Sequence, residues 1–63
     1  MKRKDLLKHL LKHGCQFVRE GGGHSIWEHA GNGQQTAVPR HREILEFTAR
    51  RICQQLGIPQ QDK

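Results

Sequence analysis

The spacing of apolar and polar positions divides the chain into five segments. In RKDLLKHLLKH, residues 3–13, Leu6, Leu7, Leu10 and Leu11 form one stripe with Lys and His around it. That spacing predicts an amphipathic helix, and Gly14 supplies the left-handed residue that commonly ends one. CQFVRE, residues 15–20, is rich in β-formers and bounded by glycines, which predicts a strand. Gly21, Gly22 and Gly23 make a turn, and HSIWEHA, residues 24–30, makes a second strand. Gly31-Asn32-Gly33 is a hairpin signal, followed by a third strand, QTAVP, that Pro39 ends. Beyond the polar residues 40–43, Leu45, Ala49, Ile52 and Leu56 recur at helical spacing. Gly57 caps this second helix and Pro59 prevents its continuation.

The order α-β-β-β-α predicts an α+β domain: a three-stranded antiparallel sheet with both helices on one face and the other face left to solvent. This is the layout of double-stranded-RNA-binding domains, and layout alone leaves function open. Residues 1–63 are expected to form one domain, with 58–63 as a flexible tail. With Asn32 and Gly33 as the central residues of a two-residue turn, Trp27 faces Val38, Ile26 faces Pro39 and His24 faces His41. Trp27 and Val38 then belong to the helix-covered face, and by alternation His24, Ile26 and Glu28 belong to the open one. The same pairing brings His24 and His41 together at one end of the sheet, unless Pro39 ends the ladder first.

Composition narrows the chemistry. A chain of 63 residues with three aromatics, Phe17, Trp27 and Phe47, has no material for a deep, walled pocket. Chemistry here belongs on an open surface, against a large ligand. Eleven Lys and Arg against six Asp and Glu give a net charge of +5, which leans toward polyanions or an acidic protein partner, although a solvated basic face is common in small proteins. No apolar run approaches the roughly 18 residues of a membrane span, and the basic start leads into an amphipathic helix. The expectation is a cytoplasmic protein with reduced thiols. Cys15 and Cys53 each lie beside apolar positions and are expected to pack. His9 and His13, four apart on the first helix, have no third ligand at a metal-binding spacing and are assigned to the helix surface. No metal or cofactor is expected.

An imidazole can take a proton from a ribose 2′-hydroxyl or give one to a leaving 5′-oxygen. RNA carries its own nucleophile, so proton transfer and positive charge around the phosphate suffice to cut it. His24 begins a strand after three glycines, where backbone can approach a phosphate closely. Taken alone, such a histidine is more often a plain surface residue. His41, flanked by Arg40 and Arg42, adds a small cluster suited to phosphate contacts.

Several of these residues together resemble the HicA toxin family, the toxins of HicA–HicB toxin–antitoxin pairs. They are Gly14 and its strand, Gly22-Gly23-His24, the aromatic Trp27, Val38-Pro39-Arg40-His41, and Arg51-Ile52-Cys53-Gln54-Gln55-Leu56-Gly57-Ile58. The resemblance runs from the first helix to Ile58. It implies a double-stranded-RNA-binding-like fold and a metal-independent, ribosome-independent mRNA endonuclease whose essential histidine is His24. His41 is the candidate helper, and Arg19, Arg40, Arg42, Gly22 and Gly23 are the candidate RNA contacts. It also implies a HicB-type antitoxin that hides the histidine and represses the operon through its own DNA-binding part. Three departures from the commoner family pattern stand out: Gly23 for Ser, Ser25 for a second His, and Glu46-Phe47-Thr48 for a Pro-Gly-Thr-like helix start, which suggests an earlier start to the second helix. The competing expectation is a non-catalytic RNA-binding domain. Residues 42–50, REILEFTAR, lack the lysine cluster that duplex-binding domains carry there. A third expectation, compatible with the first, is a basic face built chiefly to receive an acidic antitoxin.

Overall fold

Each element expected from the apolar pattern occurs, in order, in the structure, a computed structural model that describes residues 1–60. They are α1 (Arg3–Lys12), β1 (Cys15–Gly21), β2 (His24–His29), β3 (Gln35–Pro39) and α2 (Glu46–Leu56). The strands form an antiparallel sheet in the order β1-β2-β3. Both helices lie on one face of it. Leu6 and Leu10 of α1 meet Ala49, Ile52, Cys53 and Leu56 of α2 over Cys15, Trp27 and Val38 of the sheet. This is the α-β-β-β-α fold the sequence predicts.

Burial refines both helical stripes. Leu6 and Leu10 are fully buried, whereas Leu11 is 61% exposed and lies off the core-facing line. In α2 the stripe starts at Ala49, and Leu45 is an exposed N-cap with extended backbone. Ile44 is buried in its place, because alternate residues of an extended segment point opposite ways. That segment is held by the chain start: Arg3 N–H donates to Arg42 O at 2.8 Å and Ile44 N–H to Met1 O at 2.7 Å. The same pairing satisfies an N–H at the start of α1, which has no side-chain cap. The second helix begins at Glu46 and not earlier.

Two of the turns differ in kind. Gly21 pairs with His24, so Gly22 and Gly23 are the centre of a two-residue hairpin, with φ of 51° and 84°. Positive φ at both positions is the condition for a type I′ turn, and it explains the glycines. The Asn32-Gly33 turn expected between β2 and β3 is not formed, since among the described residues only glycines have positive φ. Asn32 instead uses its amide, donating to Leu56 O at 3.1 Å and accepting from Gln34 N–H at 2.8 Å. The connection is longer as a result, and the register moves by two residues from the expected one: His24 opposes Pro39, Ser25 opposes Val38 and Ile26 opposes Ala37. Because the shift is even, the faces are unchanged. Ser25 and Trp27 are covered while His24 is exposed.

The region expected as a tail starts packed. Ile58 is 8% exposed within the core, its N–H bound to Cys53 O at 3.0 Å past the left-handed Gly57. Residues 61–63 lie outside the described residues. His9, expected on the helix surface, is buried and donates from Nε2 to Pro59 O at 2.7 Å. Cys15 and Cys53 are both buried and form no disulfide. Burial pushes the Cys15 thiol up, and Cys53 beside it adds to the effect.

The burial difference within α1 gives a direct check. Leu10→Ala is expected to cost about 2–5 kcal/mol of unfolding free energy by leaving a cavity. Leu11→Ala should stay within about 0.5 kcal/mol. Urea unfolding of the two variants measures both, and equal losses would contradict the packing described.

Candidate functional site

His24 stands at the first position of β2, exposed, between Gly21 of β1 and Pro39 of β3. Its ring Nδ1 lies 3.4 Å from Gly22 O, a long contact in which only the nitrogen can donate. A proton on Nδ1 leaves Nε2 as an acceptor, the form a general base needs.

A β-bulge sets what surrounds it. β1 pairs Phe17 with Trp27 and then Arg19 with Ile26, so Val18 is the extra residue. Strict alternation from Phe17 would put Arg19 on the covered face. The bulge reverses the parity, and Arg19 comes to the open face with Ile26 and His24, one diagonal position from the histidine. Glu20 is turned the other way, opposite Ser25.

Beneath this end of the sheet lies a polar network that the apolar pattern did not reveal. The Ser25 hydroxyl is buried. It donates to Glu20 Oε2 at 3.0 Å and accepts from Arg3 Nη2 at 2.9 Å. Arg3 Nε also donates to Pro39 O at 2.8 Å. One guanidinium thus ties the first residue of α1 to β2 and β3, at the residues beside and opposite His24. Ser25, where the commoner family pattern has a second histidine, is therefore a covered structural residue. The only available sequence signal was alternation, which puts residue 25 on the face opposite His24.

The remaining candidates divide between two places. Gly22 and Gly23 form the exposed turn, and a Cβ on either would meet nothing within 4 Å. Their role is conformational. Arg40 lies 3.6 Å from Glu20, with both side chains at least half exposed, a weak pair. Arg40 and Arg42 line an open groove of about 550 Å³ with Lys2, Arg3, Lys4, Leu7 and Glu43. His41 does not face His24, because Pro39 takes that position and ends β3. It lies exposed two residues further on, in the segment that borders the groove. Lys2, Arg3 and Lys4 were missed, although the run KRK at a helix start was visible. Among the described residues no group of three or more His, Cys, Asp or Glu could hold a metal ion. Among the described residues no helix is long and apolar enough to cross a membrane.

This arrangement, an exposed histidine on an open sheet end with Arg19 on the same face, accompanies a match to a known family profile, described as HicA toxin of bacterial toxin-antitoxin, over residues 3–58. The chain belongs to the HicA toxin family. It is thus the toxin of a toxin–antitoxin system, with an antitoxin as partner. No curated protein and no solved structure matches it.

The network makes a stability prediction. Arg3→Ala removes charge-assisted bonds to two strands and should cost about 1.5–3 kcal/mol. Lys4→Ala, exposed one residue on, should change stability by less than about 0.5 kcal/mol. Thermal unfolding compares them, and a neutral Arg3→Ala would remove Arg3 as the tie.

Proposed function

We propose that this HicA toxin is an endoribonuclease that cuts mRNA without a metal, with His24 as general acid or base, and that a HicB-type antitoxin neutralises it by covering the open sheet end. The observation that carries the proposal is the seating of His24: exposed at the start of β2, with Nδ1 3.4 Å from Gly22 O. The reaction needs little else from the protein. The ribose 2′-oxygen attacks the adjacent phosphorus, the bond to the 5′-oxygen breaks, and a 2′,3′-cyclic phosphate results. His24 Nε2 takes the 2′-hydroxyl proton as the attack begins, or in protonated form gives one to the departing 5′-oxygen. Arg19, on the same face, offsets the charge that builds on the phosphoryl oxygens. His41, in the exposed segment beyond Pro39, is the candidate second proton carrier, brought into play by the seated RNA and not by strand pairing.

The test uses purified protein and single-stranded mRNA in the presence of a chelator. Wild type should cut, and His24→Ala should lose about 10²–10⁴-fold in rate, with its circular dichroism unchanged. His41→Ala should lose less. Cutting that survives His24→Ala would end the assignment, and binding without cutting would favour a non-catalytic RNA-binding domain.

A further inference from the structure

The groove bordered by the first turn of α1 and residues 40–43 has a composition that folding does not require. Lys2, Arg3, Lys4, Arg40 and Arg42 line it against a single acid, Glu43. Lys2 and Arg3 are the N-cap and first residue of α1, with Lys4 next. Cations at that end oppose the helix dipole, which favours Asp or Glu there. Arg3 has internal work, binding Pro39 O and Ser25 Oγ. Lys2 and Lys4 are exposed, and among the described residues no side-chain hydrogen bond or ion pair holds either of them.

We propose that this groove holds the sugar–phosphate backbone of single-stranded RNA next to the cut site, with Lys2, Lys4, Arg40 and Arg42 contacting successive phosphates. The inference rests on the nuclease reading of His24 and deepens it. Arg40 directly follows Pro39, the cross-strand neighbour of His24, so the groove opens at the same end of the sheet. RNA seated at His24 is a continuous chain of phosphates, and the adjacent cationic groove gives it a path. Single-stranded RNA fits better than duplex. A duplex reader needs cations at the start of its last helix, where this chain has Glu43 and Glu46.

The test separates binding from chemistry by using His24→Ala protein and a short fluorescein-labelled oligoribonucleotide, followed by anisotropy across a series of potassium chloride concentrations. Lys2→Gln/Lys4→Gln is compared with Lys8→Gln/Lys12→Gln, which removes equal charge from exposed positions on the same helix outside the groove. The groove pair should weaken binding about tenfold and lower the salt slope by about 1.4, the value for two lost phosphate contacts on a single strand. The control pair should change neither appreciably. Unfolding midpoints should show the groove pair to be no less stable than the parent, as expected for charges that oppose the helix dipole. Equal weakening by both pairs, or by neither, would overturn the proposal. So would unchanged RNA binding with loss of antitoxin binding, which would assign the groove to an acidic protein segment. Protein that binds through the groove but never cuts RNA with His24 intact would instead overturn the nuclease reading and leave the groove standing.

Discussion

Seven residues of β1 run against six of β2, and the place where the extra one is absorbed decides which side chains reach which face. A sheet covered on one face only has no tolerance in this respect, since one step of parity exchanges core for solvent. With the bulge at Val18, Cys15 and Phe17 keep the covered-face parity, while the residues after it are reversed. Arg19 reaches the open face with His24, and Glu20 reaches the covered face with Ser25. Were Val18 paired in register and not bulged, the cation would lie under the sheet and the carboxylate beside the histidine.

The consequences meet in Arg3. Glu20 accepts from Ser25, Ser25 accepts from Arg3, and Arg3 also holds Pro39 O, so all three strands and α1 are tied at one end. The opposite end is fixed differently, through Asn32 on Leu56 O. A domain this small cannot position an exposed side chain such as His24 by surrounding it. It can do so by fixing the strand that carries it from behind, leaving the ring in solvent where a large substrate or an antitoxin can reach it. The turn of Gly22 and Gly23 completes this arrangement with backbone alone.

Much of this was legible in the sequence, and the failures have separate physical causes. Element order followed from periodicity, because Leu6, Leu10, Ile52 and Leu56 repeat with the helix and Trp27 and Val38 alternate with the strand. Helix ends were readable from Gly14 and Gly57. Register was not, because Asn32 has two uses: it can adopt a left-handed turn or spend its amide on a helix end, and the second depends on where α2 finishes. Facing was nevertheless correct, since an even slip preserves it. His9 was misplaced because an acceptor from residue 59 is invisible to local pattern. The bulge was not legible in the sequence, because its position follows from packing. His24 itself was singled out by its glycines and by family resemblance, and the structure adds the orientation of its ring.

The proposed cleavage by His24 uses the RNA's own 2′-hydroxyl, and the ends left on a cleaved oligoribonucleotide decide whether it does. That chemistry leaves a 2′,3′-cyclic phosphate, or the monophosphate from its hydrolysis, opposite a 5′-hydroxyl, and gives no cleavage where the sugar at the cut site is 2′-deoxy. A 5′-phosphate opposite a 3′-hydroxyl, or equal cleavage of the deoxy-substituted strand, would contradict it.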